Sequence, residues 1–401
     1  MEDGKVKDLY DRVWGGFSEY TESLKESEDG DDESFWSAAK KYKEENLTSD
    51  VDAQFIDLAM AVTEVDYTGG SNELSVFGDT IDDHMGEMIS VFVIPFLLTQ
   101  PDNLTHTLMY LLYDFGNIIL TDPLHYMSVP GVGYGNTAAN FAATRLVADR
   151  VRLASRDTEI GYSNPNSAFI SFTKNGVESK VLAKTVLVTV SLGVLKAGNI
   201  KFTPSLPDWK REVIDGIGFG LLNKCVMQWN DPNAAVWPNE EWIELITPRG
   251  ENSGKWTTFF NPTSYKGVPI LVGWAAAENA RYMETQTDEE VLADVMTKLK
   301  AMFPTITTPD CIIITRWGSD ENVRGTYSFK KVRRDSFSDD SEQLRMPVKN
   351  VWFAGEATAG SWYGTINGAY ASGERAANGI LEVLSATWYK SLFWWPFSTT
   401  V

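Results

Sequence analysis

Two charged residues stand in stretches that would otherwise be apolar. Lys224 lies in the run IGFGLLNKCVMQW, from Ile217 to Trp229, which reads as a buried strand. An ammonium there is costly unless it meets water, a carboxylate or a cofactor; the plainer reading is an edge residue whose amine reaches solvent. Glu356 follows Val351–Ala354, a short β-prone run that stops at Gly355-Glu356. After a loop of small residues, Ile366, Ala369, Tyr370, Gly373, Ala376, Ala377, Ile380, Leu381 and Leu384 recur at helical spacing. A helix N-terminus offers unpaired N–H groups and the positive end of a dipole, so it favours an anion or a polarised carbonyl. This strand-loop-helix pattern is a cradle for a polar ligand, or else an ordinary α/β unit in which the glutamate is incidental.

Other chemistries are less well supplied. His84, His106 and His125 have no metal-ligand spacing, and no Cys/His cluster exists, which argues against a metalloenzyme. Cys225 and Cys311 lie far apart, without CxxC spacing, in runs that read as buried strands, so both are expected as reduced core thiols. The glycines of VPGVGYG, Val129 to Gly135, do not make a dinucleotide fingerprint, because Asn136 stands where the third glycine is needed. A net charge of −20 argues against general nucleic-acid binding and would draw cations towards the surface. No apolar signal follows Met1, which points to the cytoplasm or another reducing compartment. The sequons at Asn46 and Asn103 are then chance matches.

The elements that must position these residues follow from periodicity. At 401 residues and 43% hydrophobic content, the chain can bury a large core, as two domains or one elaborate one. Helices are expected from Lys5 to about Leu24, from Phe35 to Glu45 and from about Asp50 to Val65, with an acidic linker from Glu26 to Glu33. Met88–Thr99 and Leu108–Leu120 are apolar but short of the about 20 residues a membrane span needs. They fit buried helices or an interfacial hairpin. Ala168–Phe172 alternates as a strand, Asn175-Gly176 marks a hairpin turn, and Lys180–Val190 is a long β-branched run. Trp237–Ala277 is strand-prone and rich in tryptophan, with Phe259, Phe260 and Trp274 expected on a sheet. Thr287–Phe303 reads as a helix with a capping start.

Four stretches together resemble the FAD-dependent amine oxidases, the family of polyamine oxidases, monoamine oxidases and lysine-specific histone demethylases. They are VWFAGEATAGSWYGTINGAYASGERAANGI (Val351–Ile380), KTVLVTVSLGVLK (Lys184–Lys196) with IKFTPSLPDW (Ile200–Trp209), GFGLLNK ending at Lys224, and TRWGSDENVRGTYS (Thr315–Ser328). The implied fold is α/β, of mixed α+β character: a FAD-binding domain and a substrate domain with helices and a mixed sheet. The segments would be 1–125, a helical part of the substrate domain with an insertion at 87–123; 126–199, FAD-binding; 200–314, substrate sheet and helices; 315–384, C-terminal FAD-binding; and 385–401, a tail.

The resemblance also implies roles. Glu356, beside Gly355, would bind the ribityl chain, and the backbone at Thr365 and Ile366 would meet the pyrimidine end of the isoalloxazine. Trp317 would pack beside the flavin, the backbone near Arg156 and Asp157 would meet the adenine end, and Lys224 would hold a water at flavin N5. Tyr327, Thr365 and Phe260 would face a small-molecule amine. Thr326 and Thr365 stand where monoamine oxidases carry the flavin-linked cysteine and a second cage tyrosine. The resemblance therefore implies non-covalent FAD and a polyamine-oxidase-like or demethylase-like enzyme, with O2 as acceptor and H2O2 released in polyamine catabolism. The family's opening strand and GxGxxG loop are not found before Gly131. The expectation is a chain lacking its first portion, or a shortened homologue that acts as a binding protein.

Overall fold

A computed structural model describes residues 10–26, 34–67, 73–74, 91–92, 110–113, 151–245, 255–263, 267–332 and 340–392. The chain opens with α1 (Gly15–Glu26), α2 (Phe35–Asn46) and α3 (Asp50–Tyr67), followed by β1 (Val91–Phe92) and β2 (Tyr110–Tyr113). Next come β3 (Ser155–Gly161), β4 (Ala168–Lys174), β5 (Val177–Ala183), β6 (Val186–Val188), α4 (Leu192–Ala197), β7 (Lys201–Thr203) and α5 (Asp208–Gly216). Then follow β8 (Gly218–Phe219), β9 (Leu222–Gln228), β10 (Trp242–Leu245), β11 (Thr258–Phe260), β12 (Ile270–Ala276), α6 (Ala277–Glu284) and α7 (Asp288–Met302). The last elements are β13 (Cys311–Ile314), β14 (Ser328–Phe329), α8 (Asp340–Arg345), β15 (Val351–Phe353) and α9 (Ile366–Leu392).

These elements fall into two compact units. The first takes the described parts of Met1–Arg152, Gly218–Glu321 and Phe329–Ser336. Its opening helices bury Val13, Phe17, Phe35, Ala38, Phe55 and Ile56 in one cluster. The Tyr42 hydroxyl occupies the place a Cβ on Gly16 would take, so a larger residue there would push α1 away from α2. Ser34 caps α2 through the Ser37 amide at 3.2 Å, and Arg12 pairs with Asp52 on α3 at 2.6 Å.

The sheet of this unit runs β1-β2-β10-β11-β12-β9-β13, with neighbouring strands antiparallel throughout. Its pleat sorts residues between two faces. Cys225, Met227, Ile243, Phe259 and Leu271 meet Val291, Val295 and Leu299 of α7 in one core. The expected cap of α7 is present as a full box between Thr287 and Glu290. The apolar runs 88–99 and 108–120, expected as helices or a hairpin, contribute β1 and β2, which pair with each other, and β2 also joins β10. The rest of 87–123, the acidic linker beyond Glu26, the 129–135 loop and the residues after Leu392 lie outside the described residues.

The second unit takes Leu153–Ile217, Asn322–Ser328 and the described parts of Phe337–Val401. Its larger sheet runs β5-β4-β3-β7, with the predicted hairpin turn at Asn175 (φ 50°) and Gly176 (φ 76°). Lys180–Val190, expected as one strand, is two. β5 stays with β4, and the chain then bends at Lys184-Thr185 so that β6 can pair in parallel with β15. Asn350 sits at that corner, its carbonyl accepting from Val186 N at 3.0 Å and its Nδ2 donating to Lys184 O at 3.2 Å. Lys210 of α5 is fully buried, and its ammonium donates to the carbonyls of Gln343, Leu344 and Met346 at 2.6–3.0 Å, capping α8. The Phe353 ring lies 4.3 Å from the same nitrogen. Burial pulls this lysine down to about 7.

Only one of the two cysteines keeps its expected place. Cys225 is buried, but Cys311 is exposed, because its register opposite Gln228 puts it on the face of the edge strand β13 that points away from α7, while Ile312 and Ile314 take the core side. Burial pushes the Cys225 thiol up to about 12, with Asp288 adding in the same direction. Iodoacetamide at neutral pH should therefore alkylate Cys311 and leave Cys225 unmodified until the protein unfolds, as peptide mass spectrometry would show. Lys210→Met should lower unfolding stability by about 2 kcal/mol or more in a urea titration, since three carbonyls lose a charged donor while only the ammonium's desolvation is relieved.

Candidate active site

The Glu356 turn is built within the second unit. β15 ends where the Ala354 amide donates to Val188 O at 3.0 Å, and Gly355 then adopts φ 131°, a conformation that side-chain-bearing residues rarely take. Its amide donates to Ser372 Oγ on α9 at 2.9 Å. Glu356 follows in a 3-10 turn with its carboxylate directed inward. One oxygen accepts from Ser328 Oγ at 2.6 Å and from Gly364 N at 2.7 Å, and the Ser328 amide lies 3.3 Å from both oxygens. Burial raises the carboxyl above its usual value, and these hydrogen bonds oppose that rise.

The same turn gathers two further expected residues. Gly364 has φ 70°, and a Cβ on it would stand 3.2 Å from the Tyr327 ring, so the ring packs directly on this glycine. Thr365 caps α9, its Oγ1 accepting from Gly368 N at 2.9 Å and donating to Trp362 O at 2.7 Å. Ile366, the first residue of α9, is 57% exposed. Tyr327, Glu356, Thr365 and Ile366 are thus neighbours. Asp157 is placed elsewhere in the unit, on β3 of the β5-β4-β3-β7 sheet, where burial raises its carboxyl.

Lys224 and Trp317 are organised within the first unit. Lys224 projects from the sheet face opposite α7, in one cross-strand row with Trp274, Thr258 and Glu244. Its ammonium lies 4.6 Å from the Trp274 ring centroid, and burial lowers its basicity. Trp274 in turn meets Trp242, which meets Phe260, each pair with centroids 5.0 Å apart. Phe260 and Trp274, expected on a sheet, thus form with Trp242 an aromatic row that ends at Lys224. Beside it, Trp317 is 40% exposed, and its amide donates to Asn223 Oδ1 at 3.0 Å.

Sequence reading passed over four residues that hold these positions: Ser328, Asn223, Thr315 and Glu284. The first three lie inside or next to quoted motifs, but nothing near Glu284 marks it. The Glu356 turn suits a flavin's polar edge. A carboxylate has about four acceptor positions, and the chain's own donors leave room for a ligand hydroxyl. The outermost amides of α9 also precede its first intrahelical bond.

A sheet whose face carries a lysine and linked aromatics, with a strand-turn-helix unit bearing a buried glutamate, fits a flavin-dependent oxidoreductase. The family model for flavin containing amine oxidoreductase matches residues 11–381, and the chain belongs to that family. Among curated relatives, "Histone demethylase-like protein A" of Aspergillus fumigatus is 38% identical over 215 residues, covering 50% of this chain and 19% of that protein. "Polyamine oxidase 4" of Oryza sativa subsp. japonica is 39% identical over 196 residues, covering 49% of this chain and 39% of the relative. "Polyamine oxidase 2" of Arabidopsis thaliana is 37% identical over 205 residues, covering 51% and 40%. The matches thus span about two fifths of these polyamine oxidases. A redesigned putrescine oxidase shares the fold at TM-score 0.61 and 16% identity, over 94% of this chain and 76% of that one. The expected mixed α/β amine-oxidase fold is therefore present. Among the described residues, no helix is long and apolar enough to cross a membrane.

Between the ordinary carboxylate value of 4.5 and the raised value of Glu356, the folded state holds more protons than the unfolded one, so this group's contribution to stability falls as pH rises through that window. In urea titrations from pH 4 upward, Glu356→Gln should remove that part of the slope. Glu356→Ala should cost about 1–3 kcal/mol, because buried donors lose their acceptor.

Proposed function

We propose that this chain serves an amine oxidation of the polyamine-oxidase type. The observation that carries the reading is the placement of Lys224 on the Trp274 ring, in a wall that continues through Trp242 to Phe260. Such a wall suits an extended aliphatic amine, with ring faces to meet its cationic groups. The identities of 37% and 39% to two polyamine oxidases support it.

In this reading Glu356, Gly355, Thr365 and Ile366 hold non-covalent FAD, and Trp317 and the backbone at Asp157 add further contacts. When bound, the flavin supplies the acceptor for hydride from the carbon beside the amine nitrogen and the site at which O2 is reduced to H2O2. Tyr327, Thr365 and Phe260 orient the amine. The amine must be neutral at the reacting nitrogen, and an apolar aromatic surface favours that form. Lys224, its charge disfavoured by burial, holds the water that exchanges protons near the flavin. Water then hydrolyses the imine product. We further propose a cytoplasmic, reducing setting, in which Cys225 and Cys311 would stay as thiols.

The purified chain incubated with FAD should show a perturbed flavin absorbance band that bleaches on anaerobic addition of spermine or spermidine. Lys224→Met should slow turnover at least about tenfold while retaining the flavin. A bound flavin that no polyamine bleaches, but a methylated lysine peptide does, would replace this reading with a demethylase one; no flavin binding would leave a binding homologue.

A further inference from the structure

The strand that carries Lys224 and the loop that carries Trp317 are joined by a polar relay centred on the buried Asn223. The Lys224 amide donates to Thr315 Oγ1 at 2.8 Å, and that hydroxyl donates to Asn223 Oδ1 at 3.0 Å. The same Asn223 oxygen accepts the Trp317 amide at 3.0 Å. Asn223 is 0% exposed, and its Nδ2 donates to Glu284 Oε1 at 2.8 Å. Glu284, the last residue of α6, also accepts from Gly318 N at 2.7 Å and, through Oε2, from Ser319 Oγ at 2.6 Å.

Two features set this relay apart from a generic turn. A Cβ on Gly318 would lie 2.9–3.0 Å from the Glu284 carboxylate oxygens, so only a glycine lets the carboxylate come this close. Arg316 anchors the other side of the same loop, donating to Gln286 O at 2.9 Å and pairing with Asp288 at 2.8 Å. The loop is held on both flanks of Trp317. Every polar atom of the Asn223 side chain is also committed in one orientation, since its oxygen faces two donors and its nitrogen a carboxylate.

We infer that Glu284 and Asn223 are positioning residues that set Lys224 and Trp317 in a fixed relation, so that the two act as one unit in amine oxidation. This rests on the proposed roles of Lys224 and Trp317 at the flavin. Glu284→Gln is the informative change. It keeps the shape and removes the charge: with the amide oxygen towards Asn223 Nδ2 and Gly318 N, the new NH2 meets the Ser319 hydroxyl, which must turn to accept, so the bonds to Asn223 and Gly318 persist without their charge-assisted strength.

Two readouts need no flavin. Hydrogen exchange followed by mass spectrometry reports the amides of Trp317 and Gly318. Reductive methylation with labelled formaldehyde places a reporter on Lys224, whose signal is shifted by the Trp274 ring beneath it. Glu284→Gln should speed exchange in the 315–320 segment about tenfold, the effect of a hydrogen bond losing its charge assistance. It should also move the Lys224 signal towards that of an exposed lysine, with exchange in β3–β5 unchanged. Unchanged exchange at 315–320 would overturn the inference. So would faster exchange with an unmoved Lys224 signal, because the relay would then be a turn support only. If Glu284→Gln raises exchange throughout the chain, the isosteric Thr315→Val decides: the Lys224 signal must move in it, and an unmoved signal overturns the inference. A failure of polyamines to bleach the flavin would count against the proposed function and leave these two readouts standing.

Discussion

A carboxylate partly withdrawn from water needs donors in place of the water it loses, and the chain meets that requirement by wrapping a turn around it. In the first unit Glu284 collects the amide of Gly318 and the hydroxyl of Ser319. In the second Glu356 collects the amides of Ser328 and Gly364. Each turn's shape follows from the position of one side chain. The consequence reaches the aromatic residues of the motifs, for Trp317 immediately precedes Gly318 and Tyr327 immediately precedes Ser328. In both cases the ring adjoins an amide that a partly buried carboxylate holds.

The pleat of the large sheet provides the other constraint. β9 and β12 pair from Ile270↔Gln228 to Ala276↔Leu222, and that register puts Asn223, Cys225 and Met227 on the helix-covered face and Lys224 and Val226 on the other. A slip of one residue would drive the ammonium into the α6–α7 core and expose the thiol. The core that fixes the register therefore also fixes the direction of Lys224. On β9, Asn223 is the polar member of the covered face, and Glu284 and Thr315 satisfy it there.

Much of this was legible in the sequence because the strongest signals were local. The β-prone run ending at Gly355, the capping start at Thr287 and the Asn175-Gly176 turn each depend on neighbours a few residues away, and each formed as read. The family resemblance rested on similarly compact motifs, and the family model and fold agree with it. What escaped were properties set by distant partners. Lys180–Val190 has one composition, but its two halves pair with different strands. Cys311 has the apolar neighbours of a core residue, but its register on β9 at the edge of the sheet turns it from the core, and neither register nor strand order is written in a strand's own residues. Glu284 sits on an exposed-looking helix end, and its partners lie 34 and 61 positions away.

The Glu356 turn is rich in small residues and has little apolar surface to bury, so its order must come from polar ties that offset the entropy of fixing the backbone. Those ties come from both chemical sides. Glu356 and Ser372 take its amides, while Arg375 donates to the carbonyls of Phe353 and Thr358 at 3.0 and 2.7 Å. Ser341 of α8 does both, donating to Ala357 O and accepting from Gly360 N. Lys210 caps the other end of that short helix. A turn held in this way presents its remaining donors and acceptors already oriented, so a ligand that meets it loses less freedom in ordering the protein than it would against an unsupported loop. The glycines make the path possible, and the buried charges make it a single path.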